Sequence, residues 1–165
     1  MKLFTKLDSP VGPLVLTSDG RALTGILMEA APAGPGWKRD DAAAPFPEAR
    51  AQLEAYFRGE RTEFDLPLAP SGTPFQERVW KELRRIPYGK TCSYGDIAKR
   101  IGRPKACRAV GLANGRNPIS IVVPCHRVIG ADGSLTGYGG GLVNKKTLLE
   151  LEVRVISAEK SPAAR

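Results

Sequence analysis

Histidine occurs once in the 165 residues, cysteine three times, and aromatic residues make up only 7%. The cysteines, Cys92, Cys107 and Cys125, are odd in number and form no C-x-x-C pair. That argues against a disulfide framework and fits a reducing compartment. Residues 1–91 hold neither Cys nor His, which removes the usual zinc ligands from that half. No apolar run approaches the ~20 residues of a membrane span. The opening Met1-Lys2-Leu3-Phe4-Thr5-Lys6 reads as the start of a strand and lacks a signal-peptide core, so a cytoplasmic location is the expectation. Acidic residues are scarce in the second half. Residues 73–152 carry 14 Lys/Arg against 6 Asp/Glu, whereas residues 1–72 carry 8 against 10. The net charge of +8 is therefore one-sided, and a one-sided excess of cations points to a polyanion partner, most often nucleic acid.

What is present divides the chain in two. Leu3 to Leu7, Leu14 to Thr17 and Leu23 to Met28 read as strands separated by Asp8-Ser9-Pro10 and Ser18-Asp19-Gly20 turns. Residues 30–47, rich in Ala, Pro and Gly, read as an exposed loop. Glu48 to Arg58 reads as a helix, Phe64 to Leu68 as a further strand, and Pro70-Ser71-Gly72 as a linker. Thr73-Pro74-Phe75-Gln76 then combines an N-cap, a Pro at the first helical position and a capping-box Gln. The stripe Phe75, Val79, Leu83, Ile86 continues that helix to Pro87. A second cap at Ser93-Tyr94-Gly95-Asp96 opens a short helix. Gly102-Arg103-Pro104 turns the chain into a third, from Lys105 to about Asn114. Helix, tight turn and helix in a basic segment is the helix-turn-helix pattern. On the third helix Ala106, Ala109, Val110 and Ala113 share a face opposite Lys105 and Arg108. Small residues there let the backbone approach another surface closely.

Asn117-Pro118 leads into an apolar run, Ile119 to Val123, that reads as a strand and ends in Pro124-Cys125-His126-Arg127. A thiolate is a strong nucleophile, and a positive or hydrogen-bonding neighbour lowers its pKa. A Cys beside the sole His is therefore the first candidate for chemistry. Val128-Ile129 extends the strand, and Gly137-Tyr138-Gly139-Gly140-Gly141 is a loop whose backbone could approach a ligand. The last helix, Leu142 to Glu152, buries Leu142, Leu148 and Leu149. Glu152 projects between the last two and needs a buried partner. His126 would complete a nucleophile, base and orienter set with Cys125. An ordinary salt bridge to Lys145 or Lys146 is the competing account. Cys92 and Cys107 read as small packing residues.

Across residues 73–152 these motifs resemble the O6-alkylguanine-DNA alkyltransferases in order and spacing. The resemblance rests on Ser93-Tyr94, Lys105 to Gly111, Asn117-Pro118, Ile121 to Gly130, Gly137 to Gly141 and Leu148 to Glu152. Residues 1–72 resemble that family's N-terminal domain more loosely. The implied fold is α/β (α+β): a small ribonuclease H-like sheet domain over residues 1–70, then a winged-helix-like domain with the helix-turn-helix over 73–155. Residues 156–165 would be a disordered tail. The implied activity is irreversible transfer of an alkyl group from O6-alkylguanine in duplex DNA, with O4-alkylthymine a further candidate, to the protein's own Cys125. No cofactor or metal is implied, and a monomer is the default.

Residue by residue, the resemblance implies that His126, through a water, and Glu152 draw the thiol proton. Asn117 braces the turn and Lys145 supports the thiolate. Tyr94 presses on the target phosphate and offers its hydroxyl to guanine N3. The carbonyls of Cys125 and Val128, with Pro124, Tyr138 and the Gly139 N–H, line the base pocket. Arg108 fills the gap left by the flipped nucleotide. Ser93, Lys105, Ala106, Ala109, Gly111 and Arg116 contact the DNA, with the small-residue helix in the minor groove. A non-catalytic lesion-recognition protein would carry another residue in place of Cys125. A Cys hydrolase would turn over an acyl substrate without DNA, and a transcription regulator would call for an added Cys-rich domain.

Overall fold

The computed structural model describes residues 2–28, 33–138 and 140–160. The chain starts with β1 (Leu3–Leu7), β2 (Leu14–Ser18), β3 (Leu23–Leu27) and β4 (Lys38–Arg39), forming one sheet in the order β3-β2-β1-β4. β1–β2 and β2–β3 are antiparallel, and the short β4 runs parallel to β1. Gly12 and Gly20, at φ 90° and 95°, make the two turns. Asp19 Oδ1 accepts from the Arg21 and Ala22 amides at 2.9 Å each, satisfying the second turn.

Helix α1 (Phe46–Phe57) buries Phe46, Ala49, Leu53 and Tyr56, spaced three and four apart, in the same apolar cluster as Leu7, Leu14, Leu16 and Leu23. The 30–47 segment is thus not simply an exposed loop. It contributes β4, and its Phe46 is fully buried as the first residue of α1. Leu68 contributes only a single parallel bridge to Leu23 in place of the expected strand over 64–68.

The second half holds α2 (Pro74–Leu83), α3 (Tyr94–Arg100) and α4 (Cys107–Gly115). Both expected caps form, each as a capping box, Thr73 with Gln76 and Ser93 with Asp96. Each such cap contributes about 1 kcal/mol. Trp80 Nε1 donates to the Ala113 carbonyl at 2.8 Å and fastens α2 to α4. A 3-10 turn over Cys125–Arg127 leads into β6 (Val128–Ile129), which pairs in parallel with β5 (Cys92–Ser93). The strand that launches α3 is thereby bonded to the strand that follows the Cys-His turn. Helix α5 (Leu142–Lys160) runs well beyond Glu152, so residues 156–160 are helical rather than a disordered tail; residues 161–165 lie outside the described residues. On α5, Leu148 is fully buried, whereas Leu142 is 49% exposed and does not belong to the inner stripe.

The apolar run Ile119–Val123 is not a strand. The Asn117 side chain folds it into a compact turn: Nδ2 donates to the Val123 carbonyl at 2.8 Å, and Oδ1 accepts from the Ile119 amide at 3.0 Å. The Val123 amide donates to the Ile119 carbonyl at 3.0 Å. Ile121 sits at φ 74° and is fully buried, a rare conformation for a β-branched residue. The surroundings hold it there. The Ile26 amide on the edge strand β3 donates to the Pro118 carbonyl at 2.9 Å. Gly25 lies so close that a Cβ there would stand 3.3 Å from the same oxygen. The N-terminal sheet therefore ends against the turn that carries Cys125.

Candidate active site

Cys125, His126 and Arg127 are all buried on their 3-10 turn. His126 Nε2 lies 2.7 Å from Glu152 Oε2 on α5. Arg127 grips the same carboxylate through two nitrogens, Nε to Oε1 at 2.8 Å and Nη2 to Oε2 at 3.0 Å. The Gly89 amide donates to Oε1 at 3.1 Å and the Tyr56 hydroxyl to Oε2 at 2.6 Å. Neither Lys145 nor Lys146 takes part, so the salt bridge offered as the alternative partner for Glu152 is not the one formed. Lys146 stands 3.9 Å from the exposed Glu150 instead.

These contacts set the protonation states. Burial pushes the Glu152 carboxyl upward, but hydrogen bonds from His126 and Arg127 outweigh it and bring it down to about 2. Burial pushes the His126 imidazole below its ordinary value despite the carboxylate. A neutral imidazole facing an ionised carboxylate carries its proton on Nε2, which leaves Nδ1 a lone pair. Nδ1 is buried and has no hydrogen-bond partner among the described residues.

Cys125 is buried, 4% exposed. Burial raises its pKa above the usual thiol value, and the neighbouring Asn117 amide and Lys145 ammonium only partly offset that rise. The resting group is a thiol rather than the lowered thiolate expected from a Cys-His pair. Lys145 is fully buried; its Nζ donates to the Val128 carbonyl at 2.6 Å and to the Thr136 carbonyl at 2.9 Å. It therefore ties the start of β6 to the loop approaching Tyr138. Burial likewise raises the Tyr138 hydroxyl, which stands beside the Cys125 thiol and Ser120. Gly139 lies outside the described residues.

The Tyr94 hydroxyl, at the start of α3, donates to the Thr136 carbonyl at 3.1 Å, so the first residue of that helix touches the same loop. Ser93 is occupied as the α3 cap, its Oγ accepting from the Asp96 amide at 3.0 Å. On α4 the solvent side carries Arg108 and Ala109, with the exposed Lys105 just before the helix and the exposed Arg116 just after it. Ala109 lies on this exposed side and not beside the buried Val110 and Ala113. Ala106 is the residue preceding the helix, and Gly111 faces the Tyr94 ring, 3.8 Å from where its Cβ would stand. Cys107 is exposed rather than a packing residue, whereas Cys92 is buried. Pro124 is buried in the wall of a cleft of about 380 Å³ that also touches Arg127 and Tyr88; the thiol does not line it.

Three polar participants escape sequence reading. Arg127 and Tyr56 hold Glu152, and Asn114 Nδ2 donates to the Cys125 carbonyl at 3.4 Å. Arg127 carried a signal, as a cation inside the Cys-His motif. Tyr56 carried none, since 96 residues separate it from its partner.

Comparison with known proteins gives the family. The family described as 6-O-methylguanine DNA methyltransferase matches the chain twice, its ribonuclease-like domain over residues 2–70 and its DNA binding domain over residues 74–154. The chain belongs to the 6-O-methylguanine DNA methyltransferase family. Among relatives in that family, the methylated-DNA–protein-cysteine methyltransferase of Mycobacterium leprae is 58% identical over 149 residues, covering 88% of this chain and 89% of that protein. The protein of the same name from Methanosarcina acetivorans is 53% identical, covering 88% and 94%. The crystal structure of Mycobacterium tuberculosis OGT in complex with DNA superposes with a TM-score of 0.87 at 56% identity, covering 93% of this chain and 94% of that one. The 6-O-methylguanine DNA methyltransferase fold thus spans both halves of the chain. No helix among the described residues is long and apolar enough to cross a membrane.

Proposed function

We propose that this protein repairs DNA directly, moving the alkyl group of O6-alkylguanine in duplex DNA onto Cys125. The observation that carries the reading is the His126–Glu152 contact of 2.7 Å, on the residue next to Cys125, which leaves Nδ1 with no hydrogen-bond partner among the described residues. A water between Nδ1 and the thiol takes the Sγ proton to His126, and the ionised Glu152 stabilises the imidazolium that results. General-base help of this kind is worth about 10²–10⁴ in rate. It is needed because burial holds the resting thiol protonated.

The alkyl carbon lies inside the duplex, so the nucleotide must be flipped out at a cost of a few kcal/mol. Arg108 on the exposed side of α4 fills the gap, with Lys105, Ala106, Ala109, Gly111, Ser93 and Arg116 against the backbone and groove. Tyr94 presses on the phosphate and donates to guanine N3 as the base leaves. The Val128 and Cys125 carbonyls, with Pro124 and Tyr138, receive the base. The thiolate attacks the alkyl carbon in line. The S–C bond forms as the C–O bond breaks, and guanine departs with its oxygen hydrogen-bonded.

The thioether is stable, so each molecule acts once. One chain supplies every group named, so a monomer suffices. A reducing cytoplasm, where the thiol stays available, suits this chemistry. Residues 1–70 and 73–155 are the working domains of this scheme. The test is a titration of protein into excess duplex containing O6-methylguanine. Lesion lost should stop at one equivalent per protein; continued turnover, or no loss, would overturn the reading.

A further inference from the structure

We infer that Tyr56, on helix α1 of the N-terminal half, is a positioning residue for alkyl transfer: its hydroxyl fixes the Glu152 oxygen that orients His126, so the proton relay is complete only while α1 is docked against α5. The inference rests on the functional reading above for its role, though its geometry stands alone. Glu152 Oε2 receives the Tyr56 hydroxyl at 2.6 Å, His126 Nε2 at 2.7 Å and Arg127 Nη2 at 3.0 Å. Oε1 receives Arg127 Nε and the Gly89 amide. A carboxylate offers about four lone-pair sites, so five donors saturate it. Each donor also fixes its rotation.

The Tyr56 ring has no room to aim elsewhere. The residue is fully buried, and its ring lies 5.5 Å from that of Phe64 and edge-on to that of Tyr88 at 6.1 Å. Tyr88 in turn underlies the Arg127 guanidinium at 5.5 Å, so the ring stack and the ion pair brace each other. The charged or titratable groups facing Glu152 are His126 and Arg127 on the Cys-His turn, Tyr56 from α1, Tyr88 from the turn after α2 and, more weakly, Tyr138 from the loop before α5. Those facing His126 are Glu152 and Lys145 on α5 and its neighbour Arg127. Burial and then the adjacent carboxylate raise the Tyr56 pKa well above the ordinary value, so the hydroxyl stays a donor at every working pH.

A donor on Oε2 draws off negative charge that would otherwise stabilise imidazolium. It thereby helps keep His126 neutral and able to accept a proton. Removing it makes Glu152 a stronger partner for a charged His126. Since the chain has one histidine, ring-nitrogen NMR reads His126 without assignment.

The test compares wild type, Tyr56→Phe and Phe64→Leu as full-length proteins. Measurements are ring-nitrogen NMR of the free protein across pH and single-turnover transfer from an O6-methylguanine duplex. Tyr56→Phe should move the His126 titration, and the acid limb of the transfer rate, to higher pH by about 0.5–1. Transfer at pH 8 should change less than transfer at pH 6. Phe64→Leu loosens the same ring without touching the hydroxyl and should lower stability while leaving the titration in place. An unmoved His126 titration in Tyr56→Phe, or an equal movement in Phe64→Leu, overturns the inference. Should Tyr56→Phe fail to fold, the wild type still decides. It should show a slowly exchanging Tyr56 hydroxyl proton with cross-relaxation to the His126 ring, and its absence refutes the tie. A wild type that keeps this tie yet transfers no methyl group would sink the functional reading alone.

Discussion

Replacing Glu152 with Gln removes one charge from the centre of the molecule with almost no change of shape. The folded carboxyl titrates at about 2 against 4.5 for the ordinary group, and the side chain is 1% exposed, so solvent screens little of that difference. At about 1.4 kcal/mol per pKa unit the ionised form contributes about 3–4 kcal/mol to folding. The variant also strands the buried Arg127 guanidinium, and breaking a buried pair costs about 3–5 kcal/mol. A Gln oxygen can still accept from Arg127, so the lower figure applies. Against a typical 5–15 kcal/mol of stability the variant should fold but melt early.

The pH dependence has a fixed sign. The Glu152 contribution is complete above pH 4.5 and is lost as pH falls toward 2, because the unfolded carboxyl takes its proton first. His126 acts in the same direction. Its folded pKa lies below the unfolded value of 6.5, so only the unfolded chain gains a proton just below that pH, and stability falls. Urea unfolding from pH 8 to pH 4 should show the wild-type advantage over Glu152→Gln level at higher pH and shrinking below pH 4.5. Gln can also donate to His126 and reverse its tautomer, so transfer should slow by about 10²–10⁴. A stability loss under about 1 kcal/mol, or an unchanged transfer rate, would refute the reasoning.

Cys125→Ser should abolish transfer while keeping affinity for duplex DNA; a serine variant that still dealkylates would put the acceptor elsewhere. Arg108→Ala, altering an exposed side chain on α4, should slow repair in duplex DNA more than reaction with free O6-benzylguanine, and equal losses would remove Arg108 from the flipped-base gap.

Local rules carried much of the fold. β1 falls on the expected residues, and the Thr73 and Ser93 caps start α2 and α3 where their side chains can bond the third amide. The apolar Ile119–Val123 run reads as a strand in the sequence because hydrophobicity reports burial, not backbone direction. The Asn117 amide and the β3 edge bend it into a turn with Ile121 left-handed. The Cys-His motif announced the chemistry, yet the thiol is a resting thiol since burial outweighs its polar neighbours. Helical position alone puts Ala109 with Val110 and Ala113, and the usual burial of free cysteine makes Cys107 a packing residue; neither rule knows which side of α4 is covered, and both residues are exposed. Arg127 lies inside the motif, but its sequence position does not point to Glu152, 25 residues away. Tyr56 was illegible, because its bond to Glu152 depends on how α1 and α5 meet.

The central claim is that the alkyl group ends on one cysteine. Intact mass followed by peptide mapping, after incubation with a duplex bearing a single O6-methylguanine, tests it most directly. The account predicts one added methyl group, on Cys125 and not on Cys92 or Cys107, in step with lesion lost. Lesion lost with no gain in protein mass, or a methyl group mapped to another residue, would contradict it.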